Sequence, residues 1–380
     1  MADSAYRCRN NRGLEGGPSA LPGSLLFAAG LLGNLLALAL LWHHQLRSRL
    51  QRPAVGGGPG GRRRTSAFYL LVSALAATDL LGKCLLSPIV LAAYARNRSL
   101  SALWPPPPPS GPAVEESPGR LCQLFAFLMA FFGLAPTVLL MAMALECCLS
   151  LGHPYFYEQR TSRRLGAALT AAAAALCALF CALPLLGVGA TVQYCPGSWC
   201  FIRMVGAGRA YSVLYASLLG ALVLAIGLCN LGSMRSLYRM ARRQPPRRSP
   251  PTPAATGAKR AAAAAAAAHP AAPSGAGRLE ELGQLVLLAL MTVLFTVCSV
   301  PLIIRAYVGA FAPDYDEKAD LTALRFFSVN SIVDPWVFII FRTSVFRACL
   351  RRISRRLSSK RAPHSELLET WGQKGSGPLP

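Results

Sequence analysis

Acidic side chains are scarce in this chain: Asp and Glu together number 16 in 380 residues. Charged residues of both signs reach 14%, where a soluble domain carries about 25%. Such a chain cannot cover a globular surface with solvated groups, which argues against a cytosolic enzyme. With 53% hydrophobic residues it is neither a disordered tail nor, at this length, a disulfide miniprotein. Histidine is nearly missing as well. His43, His44, His153, His269 and His364 all lie outside the deep parts of the apolar runs, which argues against an imidazole metal site or proton relay. HExxH, phosphate-binding glycine loops and paired catalytic carboxylates are absent, so the sequence implies no enzyme, no cofactor and no metal. The second half does not repeat the first, which weakens a transporter built from inverted repeats.

What the chain has instead is long apolar runs. A helix needs about 20 mostly apolar residues to cross a hydrocarbon core about 30 Å thick. Seven segments qualify: Leu21–Trp42, Ala67–Ala93, Leu121–Glu146, Leu165–Ala190, Ala210–Leu237, Leu282–Val308 and Leu321–Phe341. The expected fold is an all-α membrane protein, a seven-transmembrane helix bundle over 21–341. No apolar stretch precedes Leu21, so the first span is expected to act as its own uncleaved targeting signal. Orientation follows from the basic residues. With the amino terminus outside, 27 of the 39 Lys and Arg residues fall in inner segments and nine in outer ones. Positive residues stay inside, so residues 1–20 are read as extracellular and the carboxyl terminus as cytoplasmic. The net charge of +23 is spread over separate loops, which makes nucleic-acid binding the poorer reading of it.

Pro105–Pro109 predicts a stiff, extended outer loop, and 239–280, with Ala261–Ala268 between Pro-rich flanks, a disordered inner loop. Beyond Phe341, the residues Phe346, Cys349, Leu350, Ile353 and Leu357 recur at spacings of three and four among arginines. That pattern predicts a short amphipathic eighth helix over 342–358, lying on inner-leaflet membrane lipids, with a tail over 359–380. Cys349 is a palmitoylation candidate, an unmodified thiol being the plain alternative. Cys8, Cys122, Cys195 and Cys200 are the four of twelve cysteines placed outside, where disulfides persist. Three pairings are open to them. Asn97-Arg98-Ser99 is a glycosylation acceptor in the first outer loop.

Ionisable groups within spans are expensive and mark functional sites. Here they are Asp79, Lys83, Glu146, Arg305, Arg325 and Asp334. Span two runs outward and span seven inward, so Lys83 lies a turn outside Asp79. Arg325 is placed one turn below the outer end of its span, with Asp334 about 13–14 Å deeper. A cavity there would be cationic above and acidic below, suited to a ligand with an anionic head and a hydrocarbon body. Plainer readings stand beside this one. Lys83 can neutralise Asp79 at i,i+4, and Arg305 can snorkel to headgroups. Arg325 has no carboxylate at i±3 or i±4, so snorkelling is its plain alternative, and it is the leading ligand-site residue.

Seven spans with Gly33-Asn34, Leu75-Ala76-Ala77-Thr78-Asp79 and Asp334-Pro335-Trp336-Val337-Phe338 resemble a rhodopsin-like G-protein-coupled receptor. Gln193-Tyr194-Cys195-Pro196-Gly197-Ser198-Trp199-Cys200-Phe201 is similar to the second outer loop of prostanoid receptors, and Leu324-Arg325-Phe326 to their carboxylate-binding arginine segment. The resemblance covers about residues 20–345. It implies disulfides Cys122–Cys200 and Cys8–Cys195, and a prostanoid bound by Arg325, Lys83, Tyr94, Ser198 and Trp199. It further implies a stimulatory heterotrimeric G protein as partner, raising cyclic AMP, and a plasma-membrane location. Asn34, Asp79, Glu146, Cys147, Pro301, Asp334 and Pro335 fall at the family's inner polar and activation positions. The family's usual acidic-Arg-aromatic triplet is Glu146-Cys147-Cys148 here, so the common arginine lock is missing. An organic-anion transporter is the rival from another class, since cations in a bundle also suit anionic cargo.

Overall fold

The computed structural model describes residues 6–16, 19–50, 59–105, 118–152, 163–243, 275–312 and 316–342. Seven long helices carry the fold: α1 Leu21–Leu50, α2 Pro59–Arg96, α3 Arg120–Gly152, α4 Arg163–Ala182, α5 Arg209–Arg243, α6 Gly275–Phe311 and α7 Glu317–Arg342. Each contains a stretch long and apolar enough to span a membrane. With no water in the hydrocarbon to satisfy peptide groups, a helix that closes its own hydrogen bonds is the structure such a sequence must take.

Burial orders the bundle. In α3, 56% of the span's most apolar stretch is buried, against 11% in α4, so α3 is the central post and α4 a peripheral one. α3 packs on α2, α4 and α5, while α1 packs on α2 and α7, and α6 bridges α5 and α7. Leu169, Leu176 and Leu179 of α4 stay exposed, as leucines facing lipid should. Pro88, Pro136, Pro301 and Pro335 sit inside helices, each removing one backbone donor and inviting a bend.

One close approach fixes α1 against α7. A Cβ on Gly33 would lie 2.8 Å from Trp336 Nε1, whose N–H donates to the Ala29 carbonyl at 3.2 Å. Gly33→Val must push the indole away and break that bond. The thermal midpoint is expected to fall by about 3–8 °C in a detergent melt.

Three sequence expectations are corrected. The fourth span does not run as helix to Ala190: α4 stops at Ala182 and tightens through Leu183–Leu186. Pro184 has no N–H to continue the ladder, and Gly187 takes φ 89°, a left-handed stop. The loop expected over 239–280 is shorter, because α5 continues to Arg243 and α6 begins at Gly275. Finally, α7 starts at Glu317 rather than Leu321, so Arg325 lies two turns below its outer end. The segments 106–117, 244–274 and 343–380, which include most of the proline run, the alanine run and nearly all of the stretch expected to form an eighth helix, with Cys349, lie outside the described residues.

Candidate functional site: a capped cavity in the outer half of the bundle

Between α4 and α5 the chain forms a hairpin, β1 Thr191–Tyr194 and β2 Trp199–Ile202, antiparallel with Tyr194 opposite Trp199. Cys122 in the first turn of α3 is bonded to Cys200 of β2, and Cys8 of the amino-terminal segment to Cys195 in the hairpin turn. The amino-terminal segment lies on the hairpin. Gln193 Nε2 donates to the carbonyls of Cys8 (2.8 Å) and Asn11 (3.2 Å), and the Met204 N–H donates to Tyr6 Oη at 2.9 Å. Hairpin and segment together form a cap over the outer end.

Beneath it is a cavity that holds ≈ 970 Å³ of empty space when the open solvent at its mouth is counted. Phe125, Phe132, Phe327 and Trp199 supply much of its apolar wall, with Lys83 and Asp79 as its charged members. Trp199 meets Phe125 edge to face with centroids 6.1 Å apart. The Phe327 ring of α7 reaches α3 because residue 133 is Gly; a Cβ there would overlap it.

Lys83 does not close an ion pair on Asp79. Its Nζ donates across the bundle to the Ser328 carbonyl at 3.2 Å, although the i,i+4 spacing allowed the local pair. The carboxylate oxygens of Asp79 and Asp334 are buried and hydrogen-bond nothing. Asp79 itself lines the cavity, one helical turn deeper than the lysine. Neutralising one of two buried, unpartnered carboxylates removes a desolvation penalty. Asp334→Asn is therefore expected to raise the thermal midpoint by about 2–4 °C.

Arg325 does not face the cavity. Its side chain is exposed and is not part of the cavity wall. The helix nevertheless puts it on one stripe with Ser328 and Ile332, both of which line the chamber, and about one turn further out. The expected chamber with two cations thus has one, Lys83, with Arg325 above its wall. Trp199 lines the cavity; Tyr94 and Ser198 do not. Ser198 is fully buried and donates to Tyr94 Oη at 3.2 Å, which occupies the serine proton. Ser198 is accordingly a support for Tyr94.

Arg305 does not snorkel. It pairs with Asp320 of α7, which is fully buried, and donates from Nη2 to the Asp316 carbonyl at 3.0 Å. Neither Asp320 nor Glu317 stood out in the sequence. The only signal was that both are acids in the first turn of a helix, where carboxylates are favoured anyway.

Lower in the bundle, Asn34 Nδ2 donates to the carbonyls of Gly30 (2.9 Å) and Ser331 (3.0 Å), tying α1 to α7. Where the arginine of the common triplet would stand, Cys147 is buried at 7% exposure. Asn230 Nδ2 reaches Thr292 Oγ1 at 2.7 Å, clasping α5 to α6.

A seven-helix bundle with a disulfide-tethered cap over an apolar chamber is the build of a membrane receptor for a small lipid. Residues 61–338 match the 7 transmembrane receptor (rhodopsin family) pattern, and the chain belongs to that family of G-protein-coupled receptors. It is 52% identical over 370 residues to the human prostaglandin D2 receptor, covering 93% of this chain and 94% of that receptor. To the Bos taurus prostaglandin D2 receptor it is 51% identical, covering 96% and 97%. To the human prostaglandin E2 receptor EP2 subtype it is 46% identical, covering 90% and 87%. Within the family it is a prostanoid receptor, not an enzyme: a multi-pass plasma-membrane protein with its amino terminus outside. Membership implies a lipid ligand and a G protein.

Proposed function

We propose that the protein is a receptor for prostaglandin D2 that couples to the stimulatory G protein and raises cyclic AMP. One observation carries the reading: a lysine-bearing apolar chamber, capped through Trp199, in a chain about half identical to prostaglandin D2 receptors over nearly its whole length. In this reading the ligand's carboxylate sits at the outer mouth. It draws the Arg325 guanidinium inward from its exposed position, and Tyr94, propped by Ser198, donates to the same head. The hydrocarbon chains lie against Phe125, Phe327 and Trp199, and Lys83 serves the polar groups of the ring. α6 then opens on the inner side about the bend at Pro301, releasing the Asn230–Thr292 clasp. Binding energy becomes signal only to the extent that ligand contacts differ between the two states.

The test is a displacement panel of prostanoids on the full chain, with cyclic AMP read in parallel. Prostaglandin D2 is expected to displace best and to raise cyclic AMP without being taken up. Stronger displacement by prostacyclin or another prostanoid would reassign the subtype, and ligand uptake would favour the organic-anion transporter. We also propose that Asn97, exposed just beyond the end of α2, carries an N-glycan. Asn97→Gln is expected to abolish the endoglycosidase-induced shift on a gel.

A further inference from the structure

The cap is fastened unevenly. On the α3 side it is held by the Cys122–Cys200 bond. On the α2 side it is held by backbone bonds, Ser99 N–H to the Arg12 carbonyl (2.9 Å) and Leu100 N–H to the Gly197 carbonyl (2.9 Å). On the α7 side, among the hydrogen bonds of the described residues, the fastening runs through the Glu317 carboxylate. Glu317, the first residue of α7, accepts from the backbone N–H of Arg7 through Oε2 (3.1 Å) and from that of Cys195 through Oε1 (2.7 Å). Arg7 precedes one half of the Cys8–Cys195 disulfide and Cys195 is the other half. A single side chain therefore grips both strands of the cross-link. The base of the grip is firm, since the same turn of α7 is bound to α6 by the Arg305–Asp320 pair.

We infer that Glu317 is a releasable pin on the cap, a positioning residue that sets how fast ligand enters and leaves the chamber. The inference rests on the chamber being the prostanoid site proposed above. A disulfide does not open and close on the time scale of ligand exchange, whereas a hydrogen-bonded carboxylate does. Glu317 is half-exposed, so water is at hand to replace both N–H groups when it lets go. With the covalent fastening at α3, release at α7 lifts the cap along the edge nearest Phe327, Ser328 and the Arg325 stripe. That is where an anionic head would enter. Because the pin touches the cap backbone and not the cavity wall, loosening it should speed both directions of exchange while leaving the equilibrium nearly alone.

The experiment measures association and dissociation of tritiated prostaglandin D2 on membranes carrying the full chain, the isosteric Glu317→Gln or Glu317→Ala. Glu317→Ala is expected to raise both rate constants about tenfold, a change of about 1.4 kcal/mol in the opening equilibrium, with Kd shifted less than about threefold. Glu317→Gln, which keeps one neutral acceptor, should fall between. It carries the test if the alanine variant fails to reach the surface. Rates unchanged in both variants would overturn the inference, as would a loss of affinity with association unaltered. Absence of binding to the unaltered chain would overturn the proposed function instead.

Discussion

Arg325→Gln is expected to weaken prostaglandin D2 binding by about 30- to 150-fold at equal surface expression, from about 2–3 kcal/mol for truncating one partner of a hydrogen-bonded charge pair. The lower part of the possible range applies because the guanidinium is solvated before binding, and drawing it to the mouth has its own cost. Arg325→Lys should recover only part of the loss, since an ammonium cannot form the two parallel bonds of a guanidinium. The rival carboxylate partner is Lys83, which already lines the chamber and has the Ser328 carbonyl as a partner. A cycle with the ligand's methyl ester separates the two. If Arg325 pairs with the carboxylate, esterification should weaken binding to the unaltered chain but add little to the loss in Arg325→Gln. Additive losses there, with non-additive ones in Lys83→Met, would move the carboxylate down to Lys83.

How Arg325 stands explains what a sequence can convey about such a site. Hydropathy fixes which stretches must be helices, because unsatisfied peptide groups are not tolerated in hydrocarbon, and the 3.6-residue period then fixes the stripe a residue occupies. Hence Arg325, Ser328 and Ile332 can be placed on one stripe from their numbers alone. The rotamer of a long side chain at a helix end follows no such rule. It depends on what the neighbouring elements offer, and at Arg325 no acid stands nearby on its own helix. Lys83 shows the same limit from the other side. Spacing allows a local pair with Asp79, yet the cross-bundle carbonyl of Ser328 wins, and which helix lies opposite is not written in the local sequence. Arg305 is the clearest case. Its partner Asp320 lies 15 positions along, on a different helix, and only the α6–α7 packing brings them together. The cap follows suit. Its cysteines were visible, but the carboxylate of Glu317 that gathers both strands looked like an ordinary acid at a helix start.

Removing the Cys122–Cys200 bond, as the double variant Cys122→Ala and Cys200→Ala, is expected to do more damage than removing Cys8–Cys195. The bond spans 78 residues, which in the chain-entropy picture corresponds to about 4–5 kcal/mol. That is an upper figure here, since helices already inserted in a bilayer restrain the unfolded reference state. A fall of about 5–10 °C in the thermal midpoint is the expected outcome. The 187-residue Cys8–Cys195 loop would stabilise more on loop length alone. Position reverses that order for binding. Cys200 is next to Trp199 on β2, so losing its bond frees the indole that lies on the chamber, whereas Cys195 is in the hairpin turn, away from the chamber wall. Prostaglandin D2 affinity is therefore expected to fall at least about tenfold when Cys122–Cys200 is removed and by much less when Cys8–Cys195 is. The reverse order, measured by saturation binding at matched surface levels, would mean that the amino-terminal strap, and not the hairpin, shapes the site.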